Sequence, residues 1–346
     1  KKKIELEYKT ALRFLEYVDD QKRMLLQMFD AQSTSNPSGT LYRPAEVLLC
    51  SAEDNEALMR SMMQKHATKK PNHLHIVIVL ALRPENRDEV MSRLQDFAVS
   101  IPNLIIMLPD ETLGEKTTAQ FINALTALKV SKIHFNEKDA EENNRQATQH
   151  IKNWIQRLKN GTYRLYFGDK CYDDGIVQNA NRLLNGTIAY KIFPQGFEAV
   201  KSYRNGSTNA TFFKVGSALS LSKQVMEART RENMLDFKGS NRPCQQVFEF
   251  GGNNLVDDVC GMNEVTLNGD SWLAAVCRKV DECMTKARSH YADRFSLSEG
   301  LSDFVKAPYG FFQTPACYAA LTYALRKHRT DLFIPSTSQV ITEIGR

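Results

Sequence analysis

"HLHIVIVLALRPENRDEVMSRLQDFAVSIPNLIIMLPDE", His73 to Glu111, decides the fold. Two short apolar runs flank a stretch whose apolar residues recur at helical spacing. Runs of four to eight Ile, Val and Leu bounded by Pro and Asn read as strands buried on both faces. Pro84 stands where a first helical residue is welcome, since its missing N–H has no intrahelical partner there. Two strands joined by a helix are parallel, because the crossover returns the chain to the end from which it started. Working outward, "AEVLLCSA" and "EDNEALMRSMMQKH" add a strand and a helix upstream. Downstream, "TTAQFINALTALKV" reads as a helix and "KIHFNE" as a fourth strand. The expectation is a parallel-sheet α/β layer from about residue 45 to 136.

The flanking sequence has a different character. Residues 1 to about 32 read as one long helix, and Ser33 to Thr40, "STSNPSGT", as a linker. A helix from Lys138 to Leu158 follows the layer, then a strand and turn in "TYRLYFGDKCYDD" and a helix in "GIVQNANRLLNGTIAYKIFPQGF". Beyond about residue 200 the segments "SALSLSKQVMEARTRENML" and "GDSWLAAVCRKVDECMTKARSHY" are helical. In the second, Asp270 or Ser271 can cap, and Trp272, Val276, Val280, Cys283 and Ala287 share one face. The fold class is therefore α/β, with the layer followed by a mostly helical domain. Its three parts are residues 1–40, 41–200 and 201–346.

Bulk properties bound the function. The chain has 346 residues and a formal net charge of +5, which permits nucleic acid as a partner without demanding it. The longest apolar run, Ile76 to Leu82, is far shorter than the roughly 20 residues that span a bilayer, so no membrane partner is expected. Seven cysteines occur without a CxxC pair, and free buried thiols in a reducing cytoplasm are the expectation. Both ends fall inside patterned sequence, which suggests a piece of a longer protein.

Four stretches invite a chemical reading. "LPDETLGEKTT", Leu108 to Thr118, imitates a phosphate-binding loop, but Pro109 lacks an N–H and Glu115 separates Gly114 from Lys116. An ordinary strand-to-helix loop is preferred, and no ATP or Mg site is expected in this chain. His73 and His75 lie two apart at a strand start, a metal-compatible spacing without a third ligand. "GGNNLVDDVCG" reads as a turn, because Asp257 and Asp258 would repel an anion. Arg229, Arg231, Lys238 and Arg242, close to Phe237, could follow a nucleic-acid backbone, although Glu227, Glu232 and Asp236 offset them.

Near the C-terminus, "FVKAPYGFFQTPACYAALTYALRKHR" combines a Pro-Tyr-Gly turn with a helix. Thr314 can cap it, Pro315 suits its first position, and Ala316, Ala319, Ala320 and Ala324 allow close approach by a neighbour. A packing helix is expected in preference to a DNA-reading one, whose first turns would carry basic residues. Together, "LSEGLSDFVKAPYGFFQTPACYAALTYALRKHRTDLFI" and "KNGTYRLYFGDKCYDDGIVQNANRLLNGTIAYKIFP" resemble a region downstream of the ATPase core in large P-loop ATPases of bacterial defence islands, the BREX-type ATPase and its relatives. The similarity in order and spacing runs from roughly residue 100 to 335, with Ala307 standing where that family often has a second proline. The resemblance implies a parent that hydrolyses ATP with Mg, protein partners in a defence complex, and DNA-directed action. It carries no catalytic residue onto this chain. The expected role is non-catalytic assembly or coupling. A module of the helix-turn-helix or winged type that binds double-stranded DNA, with the helix after the Pro-Tyr-Gly turn as its recognition helix, and a stand-alone α/β enzyme using the strand ends near Leu82, Pro109 and Asn136 are the alternatives.

Overall fold

The structure, a computed structural model, describes Arg23, Leu25, Leu26 and residues 41–176, 180–200, 218–262, 271–291, 296–334, 339 and 340. The expected N-terminal helix and its linker lie outside the described residues, apart from Arg23, Leu25 and Leu26, which are helical. The chain divides into two compact units, Lys1–Ile188 and Ala189–Arg346.

In the first unit, β1 (Ala45–Ser51), α1 (Glu56–Ala67), β2 (Leu74–Leu80), α2 (Pro84–Ser100) and β3 (Leu104–Pro109) alternate as their patterning requires. Asn55 caps α1, its Oδ1 accepting from the Leu58 amide at 2.8 Å, and Pro84 opens α2. β1 pairs with β2, and β2 with β3, all parallel. All seven residues of β2 are buried. On one face, Cys50, Val77, Val79, Leu104, Ile106 and Leu108 pack with Met59 and Met63 of α1 and with Val90, Leu94 and Phe97 of α2. The alternate residues Ile76, Ile78, Leu80, Ile105 and Met107 point the other way and are buried as deeply.

The α/β layer with parallel β1, β2 and β3, followed by a mostly helical region, is as expected. The sheet continues beyond those strands: it is five-stranded and mixed, in the order β1-β2-β3-β4-β5, with β4 (Thr162–Phe167) antiparallel to β3 and β5 (Lys170–Ile176) antiparallel to β4. One expectation needs correction. "KIHFNE" is no strand: it holds the end of α3 (Glu115–Ile133), the turn His134–Asn136 and the start of α4 (Glu137–Asn160). Asn136 caps α4 and accepts from the Asp139 amide at 3.3 Å. The α3–α4 hairpin also sets the direction of β4. A single helix would return the chain to the start of a parallel strand, whereas a helical hairpin returns it to the C-terminal end of β3. The next strand then has to run antiparallel. Gly175 on β5 lies across from Tyr163, where an added Cβ would come within 2.5 Å of the ring. After β5, α5 (Ala180–Leu183) passes into a π turn at Leu184–Ile188.

The second unit is mostly helical: α6 (Ala189–Ile192), α7 (Ala218–Glu227), α8 (Arg231–Leu235), a 3₁₀ stretch (Gly239–Phe248), α9 (Trp272–Tyr291), α10 (Leu297–Gly300) and α11 (Pro315–Leu325). The helix expected through "SALSLSKQVMEARTRENML" is broken between Glu227 and Arg231, where Thr230 caps α8. Ser271 caps α9, its Oγ accepting from the Ala274 amide at 3.2 Å, and the predicted face from Trp272 to Ala287 is buried.

Every residue of α11 except Leu321 is buried. Thr314 caps it, accepting from the Cys317 amide at 3.2 Å, and its alanines let α7 and α9 pack close. Arg326 follows α11 and donates to the Val225 carbonyl and, at 2.8 Å, to the Ala228 carbonyl, so it closes the end of α7. The Pro-Tyr-Gly turn meets the segment after α6. The Gln195 amide donates to the Pro308 carbonyl at 3.0 Å, and Trp272 Nε1 donates to the Gln195 carbonyl at 3.0 Å. Phe304, Tyr309, Phe311 and Trp272 form a chain of ring contacts around this corner.

A leucine at Ala320 has no room in this packing. Ala320→Leu is expected to lower unfolding stability by about 1–3 kcal/mol, read from the midpoint of urea denaturation.

Candidate functional site

In open α/β sheets, ligands usually enter outside the C-terminal ends of parallel strands where the strand order reverses. Here β1, β2 and β3 follow one another in sequence order, so these three strands contain no reversal. The polar groups at their ends are engaged with one another. Glu53 accepts from the Leu82 amide at 2.7 Å and from the Ser51 hydroxyl. Arg87 is ion-paired with Asp110, donates to the Pro109 carbonyl at 3.4 Å, and also meets Asp88 at 3.0 Å. Asp110 accepts in addition from the Thr162 hydroxyl. Arg157, near the end of α4, holds Glu111 at 3.3 Å and the Thr112 carbonyl at 3.1 Å. Asp110 and Glu111, the two carboxylates that follow β3, are thus each closed by an arginine.

The imitation phosphate loop is folded the same way. Gly114 has φ 85° and caps α3, but its amide donates to the Leu82 carbonyl at 2.9 Å. That N–H is directed into the protein and not toward an anion, and Glu115 occupies the first turn of α3. Asn136, expected at a strand end, sits at the tip of the α3–α4 hairpin.

At the opposite end of the sheet His73 and His75 are joined by His66 of α1. His66 Nε2 bonds the Glu46 carbonyl at 2.9 Å, and His75 Nε2 bonds the Lys70 carbonyl at 3.0 Å. Their rings meet edge to face at 5.5 Å. His73 lies 4.0 Å from Glu46 and shares a hydrogen bond with Asn72. Both Nδ1 atoms of His66 and His75 are buried without a hydrogen-bond partner. Among the described residues no group of three metal-ligating side chains is assembled. Burial first, then the neighbouring His66 and His73, push the His75 imidazole down to about 4. Burial likewise lowers His66.

In the second unit, Ser220, Gln224, Asn233, Asp236, Lys238 and Asn241 line an open polar cleft of about 480 Å³. Of the four predicted backbone-following cations, Lys238 borders this cleft and is paired with Asp236 at 3.1 Å, and Arg231 is paired with Asp258 at 2.7 Å. Arg229 and Arg242 are exposed and have no acidic partner among the described residues. Phe237, which would have to stack on a base, is buried against Phe248 at 5.8 Å between ring centres. The "GGNN" stretch is a turn: Gly251 and Gly252 join β6 (Glu249–Phe250) to β7 (Asn253–Asn254) with φ of 62° and 87°. Asp257 organises the next loop by accepting from the amides of Val259 at 3.0 Å and Gly261 at 2.7 Å.

Of the seven thiols, six are buried as expected, and Cys171 is exposed. Burial pushes Cys50, Cys244 and Cys277 up to about 12, which leaves them protonated at neutral pH. Asp281 and His328 do form a 2.9 Å pair one turn along α9 from Cys277, but the Asp281 charge raises that thiol further. Among the described residues, no helix is long and apolar enough to cross a membrane. No family model, no curated protein and no solved structure matches this chain.

The buried histidines predict acid sensitivity. In the unfolded chain a histidine takes its proton near pH 6.5, whereas folded His75 holds out to about 4. Between these values only the unfolded state binds the proton. Stability is therefore full above about pH 6.5 and falls toward pH 4, at up to about 1.4 kcal/mol per pH unit. The urea midpoint is expected to drop more steeply from about pH 7 to about pH 5 in the native sequence than in His75→Phe. Equal slopes would assign the acid response to other groups.

Proposed function

We propose that this chain is a non-catalytic assembly or coupling region of a large P-loop ATPase of the bacterial defence-island type, acting through protein partners. One observation carries the reading: the polar side chains at the strand ends of the α/β layer are spent on structure. Arg87 closes Asp110, Arg157 closes Glu111, and Glu53 holds the Leu82 amide. A second observation gives the resemblance physical content. The residues just past the "IFP" end of its first part meet the "APYGFF" segment of its second at one aromatic corner, through the Gln195–Pro308 hydrogen bond and the Phe197–Phe312 contact at 5.2 Å. Segments that build one corner depend on each other's order and spacing.

The DNA-binding alternative loses its proposed reading element, because α11 is buried and cannot enter a groove. What favours it is the pair of unneutralised cations, Arg229 and Arg242, which suit phosphate contacts.

Two titrations on the purified chain separate the readings. With a fluorescent ATP analogue and Mg, no saturable binding is expected. Saturable binding would contradict the proposal and favour a stand-alone enzyme. With duplex DNA at low salt, weak and sequence-independent retardation is expected at most. Tight binding weakened by Arg229→Ala and Arg242→Ala would move the function to nucleic-acid recognition.

A further inference from the structure

The turn between α3 and α4 breaks two local rules at one residue. The Asn136 amide donates to the Ser131 carbonyl at 2.9 Å and the Phe135 amide to the Lys132 carbonyl at 3.2 Å. This hydrogen-bond pattern closes a helix with a left-handed residue that is usually glycine. Here that residue is Phe135, with φ 56°. A side chain with a Cβ enters this region at a cost, and a bulky one does so rarely. The same phenylalanine is 91% exposed, beside Ile133 at 62% and Val130 at 42%. Strain and exposed apolar surface at one position are what a fold carries when a contact outside the fold repays them.

We propose that this hairpin tip is a self-association site, covered by a second copy of the chain across a two-fold axis. The charges beside the apolar cluster select that occupant. Lys132 lies in the last turn of α3, and Glu137 and Glu141 follow Phe135 in the first turns of α4, where Asp139 and Glu142 outweigh Lys138 and keep the stretch acidic. Lys132, Glu137 and Glu141 are exposed and have no ion-pair partner among the described residues. A two-fold axis through the tip sets the end of α3 in one copy against the start of α4 in the other. Lys132 of each copy then faces Glu137 and Glu141 of its mate, while Phe135, Ile133 and Val130 close the centre. Such a patch is complementary to itself, as an isologous contact requires. Three apolar side chains from each copy make a small interface, so the association is concentration-dependent. The inference stands on this turn alone and does not depend on the ATPase reading.

Sedimentation equilibrium of the full chain, over a range of concentrations at low and high salt, tests it. The native chain is expected to show a monomer–dimer equilibrium that high salt weakens. Phe135→Gly should weaken association at least about tenfold, as loss of a central aromatic does. The same substitution should raise the Tm by about 2–4 °C, since glycine relieves the left-handed turn; this separates lost contact from lost fold. Lys132→Glu should also weaken the dimer, and adding Glu137→Lys and Glu141→Lys should restore it. A native chain that stays monomeric throughout overturns the proposal. So does a Phe135→Gly variant that associates like the native chain, or a charge swap that restores nothing.

Discussion

The first unit depends on β2 being buried on both faces. All seven residues from Leu74 to Leu80 are shielded from water, and β1 and β3 flank them in parallel. A strand in that position cannot leave a backbone group unpaired, because an unsatisfied buried amide costs about as much as several good contacts return. It therefore needs a neighbour along both edges and a layer on both faces. α1 and α2 supply the first layer with Met59, Met63, Leu94 and Phe97. Each fully buried side chain of this kind contributes roughly 1.5–3 kcal/mol of transfer free energy. The α3–α4 hairpin then decides how the sheet continues, because it delivers β4 to the C-terminal end of β3.

This order of dependence explains what was legible in the residues. Strands β1 to β3 and their helices could be read because Ile and Val runs alternate with amphipathic stretches, and Pro84 marks a boundary. The antiparallel half could not be read from strand composition alone. "KIHFNE" has the apolar content of a short strand, and only Asn136, followed by Glu137 and Asp139, signals the start of a helix. Given that cap, the hairpin and the reversed strand direction follow. In the second unit the small residues of α11 and the cap at Thr314 were readable as packing, and ten of its eleven residues are buried.

The candidate sites were legible as weaknesses. Pro109 and Glu115 argued against a phosphate loop, and the fold adds the reason that the Gly114 amide is committed to Leu82. What the residues did not reveal were the partners of the strand-end carboxylates. Arg87 and Arg157 lie 23 and 46 residues from Asp110 and Glu111, and only the fold brings them together. The gathering of His66 with His75 was hidden for the same reason. Phe237, read as a companion to four cations, turned out to be core, because aromatic character alone does not say which side of a turn faces water.

The central claim is that the strand-end carboxylates serve the structure and not a reaction. A double-mutant cycle on Arg87 and Asp110, with each residue changed to alanine singly and together and stability read from urea unfolding, tests it most directly. A structural pair predicts a favourable coupling on the order of 1 kcal/mol, with each single variant less stable than the native chain. A coupling near zero would contradict the structural role, and an Asp110→Ala variant more stable than the native chain would further mark Asp110 as a residue held at a cost for chemistry.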